Sequence, residues 1–204
     1  MCFNAGVTVR TTQVAPVSWV RMIRAVEKVR ERLLKAAKAL EAAGIPYAIA
    51  GGNALAAHVS RVDDAAVRNT RDVDILLRRS DLPAATTALE AVGFTHRRVS
   101  GGLDAFVEGE QGSLRGALHI VPAGEKIRPE NAFPAPDVTL SESADEFQIV
   151  SLPALVGMKL VSFRDKDRTH LRDLIELGLV DASWLDRLPS VLATRLRELL
   201  ENPE

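Results

Sequence analysis

Residues 68–81 read RNTRDVDILLRRSD, a run in which Asp72 and Asp74 stand one residue apart inside an otherwise apolar stretch. Side chains alternate faces along a strand, so Asp72, Asp74 and Leu76 share one face while Val73, Ile75 and Leu77 share the other. The second face packs. On the first, two carboxylates about 7 Å apart at their α-carbons are costly to desolvate without a cation. A divalent metal answers that need, and magnesium prefers carboxylate, water and phosphate oxygens. The spacing alone suits equally a solvated edge, or neutralisation by Arg61, Arg68 and Arg71.

The segment upstream, YAIAGGNALAAH at 47–58, changes the balance. A short buried strand delivers Gly51 and Gly52 into a helix start, where backbone can approach a ligand closely. Exposed N–H groups and the helix dipole there favour phosphate, although a Gly-Gly turn also serves close helix–strand packing. A phosphate cradle followed about 20 residues later by a metal-binding strand is coherent for a nucleoside triphosphate, with magnesium bridging the phosphates.

The chain has 204 residues, 47% of them apolar and 26% charged, which is enough for a substantial core. Its formal charge of -1 gives no general pull toward nucleic acid or an anionic membrane, and an aromatic content of 4% argues against base-stacking platforms. A single cysteine, Cys2, excludes an internal disulfide framework and suits a reducing cytoplasm. The N-terminal segment lacks the apolar core of a signal peptide, and no run of about 18 apolar residues predicts a membrane span.

Residues 1–16 read as a loose tail, and Met22 is an alternative start. From Ser18, the apolar positions Met22, Val26, Val29, Leu33, Ala36 and Leu40 recur at helical spacing, and Gly44 and Pro46 end the element. After the Asp72–Leu77 strand, Ser80 or Asp81 caps a helix closed by Gly93, and FTHRRV begins another strand. Between 101 and 150 the pattern shifts to short extended pieces, LDAFVEG, GALHIVPAG and EFQIVS, read as a meander-like or mixed sheet edge. From Leu152 onward the pattern is helical. The division expected is a tail at 1–16, an α/β core at 17–150 and a helical cap at 151–204.

The combination GGNALAAH…TRDVDILL resembles the nucleotidyltransferase fold of DNA polymerase beta-like enzymes. It is most similar to the bacterial group of minimal nucleotidyltransferases, lincosamide and aminoglycoside nucleotidyltransferases and the toxin component of AbiE systems. The resemblance implies an α/β (α+β) fold, with a mixed sheet flanked by helices and a C-terminal helical segment. It implies that Gly51 and Gly52, with the adjacent Asn53, contact the nucleotide, and that Asp72 and Asp74 hold magnesium or manganese. Arg68 and Arg71, which flank Thr70 just before the aspartates, suit the triphosphate charge or equally a surface loop paired with Asp63 and Asp64. The later SLPALVGMKLVSFRDKDRTHLRDLIEL is similar to the helical segment that follows the core in this family, which turns Lys159 and Arg164 toward the nucleotide and puts Asp167 and Asp173 on the next helix. The match spans roughly residues 45–178. It implies transfer of a nucleoside monophosphate from an NTP to a hydroxyl on a small molecule, a protein or an RNA.

One departure stands out. The strand expected to carry a third carboxylate reads GALHIVPAGEKI, with His119 in the aspartate's place. A histidine there serves as a base near neutral pH or as a transition-metal ligand, and is no equal substitute for a carboxylate on magnesium. Asp104 and Glu125 are alternative third carboxylates. The competing reading is lost catalysis: a nucleotide-binding or regulatory protein acting through a protein partner in a toxin–antitoxin-like pair. Lys159 is read as a phosphate ligand or a snorkelling helix lysine. His170, three residues from both Asp167 and Asp173, is read as part of a solvated ion-pair face, and His58 as structural.

Overall fold

A computed structural model describes residues 16–99 and 102–202. Apart from Pro16, the tail read at 1–16 lies outside them, as does Cys2.

Helix α1 (Trp19–Ala42) opens on Ser18, whose Oγ accepts the Arg21 N–H at 3.4 Å, and Gly44 beyond its end takes φ +65°. Leu33, Ala36 and Leu40 of its apolar stripe are buried, whereas Met22 and Val26 are exposed. At about 1.5 Å per residue the helix spans about 36 Å, and residues 19–28 at its N-terminal end are exposed.

Strand β1 (Tyr47–Ala50) runs directly into α2 (Gly51–Ser60), and β2 (Val73–Leu77) follows a loop containing one 3-10 turn. Helix α3 (Leu82–Ala91) begins at Asp81, but the Asp81 side chain makes no cap bond and instead accepts from Ser80 Oγ at 3.2 Å. Pro83 in the first turn favours helix entry there. Strands β3 (Phe94–Arg98), β4 (Asp104–Glu108), β5 (Leu118–Pro122), β6 (Ser141–Ala144) and β7 (Phe147–Val150) complete the sheet. Helices α4 (Leu152–Ser162), α5 (Asp165–Glu176) and α6 (Ser190–Glu201) end the chain, and the ASWLDR segment is 3-10 rather than α-helix.

The seven strands lie in the order β3-β4-β5-β2-β1-β7-β6. β2 pairs antiparallel with β1 and parallel with β5, which makes the sheet mixed. The 101–150 region is therefore not one edge: β4 and β5 widen one flank, and the β6–β7 hairpin forms the other. The sequence reading missed β6, SESA, because a half-buried edge strand needs no apolar alternation and is held by its partner's ladder.

Val73, Ile75 and Leu77 are buried as expected, but so is Leu76 on the aspartate face, so the sheet is covered on both sides. His58 is buried, with Nε2 2.9 Å from the Val150 carbonyl, which ties α2 to β7 as the structural reading holds. One contiguous apolar cluster runs from Leu33 in α1 to Leu199 in α6. Among the described residues no helix is long and apolar enough to cross a membrane.

Candidate active site

Strand β1 ends at Ala50, which lies opposite Asp74 in the β1–β2 ladder, and on its other side Asp74 lies in register with His119 of β5. The chain turns from β1 into α2 at Gly51 with φ +63°, a conformation that disfavours any side chain. A Cβ on Gly51 would overlap the Asp74 carboxylate, and one on Gly52 would come within 2.9 Å of Thr70 Cβ. Both glycines are thus required by close approach, whatever ligand they also meet.

Asn53 Nδ2 donates to the Asp72 carbonyl at 2.8 Å, and the Gly116 N–H donates to Asp72 Oδ1 at 3.1 Å. These bonds join the first turn of α2 to the entrances of β2 and β5.

A cleft of about 370 Å³ brings Gly51, Asp74, His119 and Lys159 together, with Arg164, Lys166 and Asp167 on its helical wall. Asp72 is exposed at the mouth of β2, beside Arg71, Arg115 and Gly116. Asn53 and Arg71 face a separate groove of about 670 Å³ under α1. Several expected partners are engaged elsewhere. Arg68 forms a two-pronged pair with Asp173, at 2.7 and 2.9 Å, which fastens the loop before β2 to α5. Glu125 is held by Arg79 at 2.8 Å. Asp104 is buried and 2.8 Å from His96 Nε2. Because Ala105 pairs with His119, Asp104 belongs to the opposite face of the sheet from His119 and Asp74. Neither alternative carboxylate joins the cleft.

A family model for uncharacterised nucleotidyltransferases matches residues 19–127, more than half of the chain. The chain belongs to this nucleotidyltransferase family. No curated protein matches it in sequence. Among solved structures, ANT(2'')-Ia in complex with adenylyl-2''-tobramycin is similar over 84% of this chain and 98% of that one, at 19% identity and a TM-score of 0.53. JHP933 from Helicobacter pylori is similar over 90% of this chain and 75% of that one, at 16% identity and a TM-score of 0.46. At such identities the likeness to ANT(2'')-Ia is one of fold.

The electrostatics of the nucleotidyltransferase cleft centre on Asp74. Burial raises its pKa, His119, Lys166 and Lys159 oppose that rise, and Asp72 adds to it. No hydrogen bond reaches the Asp74 carboxylate among the described residues, so its oxygens remain available as ligands. Lys159 is 4% exposed, and burial lowers its pKa to about 8 against the attraction of Asp167 and Asp74. Its Nζ lies 2.8 Å from His170 Nδ1. Burial and then the Lys159 charge lower the His170 pKa to about 4, which keeps the imidazole neutral. Burial pushes Asp167 up, but Arg164, at 2.8 Å, holds it below the usual range.

Two participants escaped the sequence reading. Lys166 lies at the cleft wall close enough to act on Asp74, Lys159 and His170, yet in sequence it is one cation among the alternating charges of RDKDR. His170 faces Lys159 rather than solvent, a pairing that depends on how α4 crosses α5 and leaves no trace in spacing.

Among the described residues, no three His, Cys, Asp or Glu side chains converge into a full metal cage. The donors present do fit a hard cation that retains water and phosphate ligands: the Asp74 carboxylate, without a hydrogen-bond donor, and Asp72, with Oδ1 on Gly116.

Proposed function

We propose that this nucleotidyltransferase transfers a nucleoside monophosphate from a magnesium–NTP complex to an acceptor hydroxyl. The observation that carries the reading is the half-buried Asp74 carboxylate, which accepts no hydrogen bond among the described residues and is set between the N-terminus of α2 and the Lys159 ammonium. Asp74 and Asp72 would hold magnesium, which when bound supplies charge neutralisation at the phosphates. The N–H groups at Gly51 and Gly52 and the Lys159 and Lys166 ammoniums receive the β- and γ-phosphates. His119, beside Asp74, takes the proton of the acceptor hydroxyl. The acceptor oxygen then bonds to the α-phosphorus, the bond to the bridging oxygen breaks, and pyrophosphate leaves against Lys159.

β5 lies on the side of β2 away from β1, so the acceptor enters past His119, where Leu103, Ile127 and Phe133 line the cleft. Glu130 on that wall lies 4.0 Å from Arg128. Such a wall suits a hydroxyl on a partly apolar, non-cationic molecule, and tobramycin is expected to release no pyrophosphate above background.

The test is calorimetric titration with ATP, GTP, CTP and UTP, with and without magnesium, followed by an acceptor screen read by pyrophosphate release. Magnesium-dependent binding lost in Asp72→Ala/Asp74→Ala supports the site, and binding to none of the four in folded protein refutes it. Tight binding with no release across acceptors would favour the regulatory reading. His119→Gln is expected to slow transfer about 100-fold, the scale of general-base catalysis, while leaving NTP affinity within about threefold. A loss confined to affinity would remove His119 from the proton transfer.

A further inference from the structure

We propose that His170 is a positioning residue that aims the Lys159 ammonium into the cleft while leaving its positive charge intact for the triphosphate; the inference rests on the nucleotide reading above. An ammonium only donates hydrogen bonds, so His170 Nδ1, 2.8 Å away, must be the acceptor and the ring proton must sit on Nε2. Asp167, one turn earlier on α5, has Oδ1 at 4.0 Å from the same Nζ, and its other oxygen, Oδ2, is taken up by Arg164 at 2.8 Å. The close acceptor is therefore neutral, and the carboxylate is both farther away and already paired. This division has a purpose in a phosphate site. A carboxylate at the His170 position would orient Lys159 equally well but would cancel the charge that the pyrophosphate needs. An apolar residue would leave a buried ammonium, 4% exposed, without its nearest partner.

The charged and titratable groups facing Lys159 are Asp74 from β2, Arg164 at the α5 cap, and Lys166, Asp167 and His170 from α5, with Asp173 acting on His170. Burial lowers the Lys159 pKa to about 8, so the ammonium is present below that pH and is lost above it. Triphosphate affinity should fall as pH rises through this range.

The experiment is a double-mutant cycle on whichever magnesium–NTP binds best, with Kd measured at pH 7 for wild type, His170→Leu, His170→Gln, Lys159→Met and Lys159→Met/His170→Leu. Loss of a hydrogen bond to a charged group corresponds to about tenfold in affinity for His170→Leu. His170→Gln keeps an acceptor oxygen and should stay within about threefold of wild type. His170→Leu should add nothing once Lys159 is Met. A full additional loss in the Lys159→Met background, or no loss in His170→Leu where Lys159→Met weakens binding, overturns the proposal.

A second readout needs no nucleotide. The ¹³Cε signal of Lys159 in lysine-labelled protein should titrate near 8 in wild type and lower in His170→Leu, with His170→Gln restoring it. An unchanged midpoint in His170→Leu overturns the coupling even if nucleotide binds. A wild type that binds no triphosphate overturns the nucleotide site instead, and with it the role of the pair.

Discussion

Asp74→Asn is expected to melt no lower than wild type without magnesium, yet to transfer nucleotide at least ~10³-fold more slowly, the upper scale for removing a key electrostatic group. Asparagine keeps the shape that fits against Gly51, so the β1–α2 turn survives. Stability follows from linkage. Burial raises the folded-state pKa of Asp74 above its ordinary 3.8, so the native protein binds this proton more tightly than the unfolded chain. Between 3.8 and the raised value, stability falls as pH rises, and above it the destabilisation is complete and constant. Asparagine has no such dependence. The melting advantage of the variant should be present at neutral pH, vanish below the ordinary aspartate range, and shrink when magnesium is added to wild type. Differential scanning calorimetry from pH 3 to 8, with and without magnesium chloride, measures the first part and pyrophosphate release the second. A variant that melts well below wild type at pH 7, or that retains turnover, would show that Asp74 is a structural carboxylate.

Gly51→Ala should destabilise the protein by about 3 kcal/mol, from about 1–2 kcal/mol for an L-residue held left-handed plus about 1–3 kcal/mol for forced displacement in a packed site. For a chain of this size that is a fall in Tm of about 6–12 °C. The same substitution expels the Asp74 carboxylate from its position, so activity should vanish with it. Gly52→Ala meets only the Thr70 side chain at 2.9 Å and has no left-handed backbone, and should cost about 1–2 kcal/mol. The mechanism of the larger effect is separable. Asp74→Ala removes the atoms nearest the new methyl, so Gly51→Ala/Asp74→Ala should be less destabilised than the sum of its parts by at least about 1 kcal/mol in urea denaturation. Strict additivity would assign the cost to backbone conformation alone.

These two residues also show how much of the site was legible. Asp74 was visible because a charge in a run of Val, Ile and Leu contradicts the pattern around it, and Gly51 because two glycines between an apolar strand and a helix mark a special backbone. His119 stands out by its place on a strand that resembles the family's third acidic strand, and β5 sets it in register with Asp74. Asp72 lies just outside β2 at its mouth, and strand parity alone does not show that its Oδ1 meets the Gly116 N–H. Arg68 was a candidate for phosphate because it precedes the aspartates, whereas its guanidinium faces Asp173, 105 residues later in the chain. Asp104 had the correct chemistry and, once the β4–β5 register is known, the wrong face of the sheet.

The division has a physical basis. Periodicity, helix ends and the mismatch of a charged residue in an apolar strand are local properties, set by backbone sterics and hydration within a few residues, and the sequence determined them: α1, the β1–α2 turn, β2 with its carboxylates, and the helical C-terminus. Which cation faces which anion is a property of the packed chain. Lys159 and His170 are 11 residues apart on different helices, and Arg68 and Asp173 are separated by most of the core. Only the crossing of α4 over α5 and the order of the strands decided that one pair would serve the cleft and the other would fasten a loop. A side chain's charge is written in the sequence, while its partner is chosen by the fold that brings two distant segments within 3 Å.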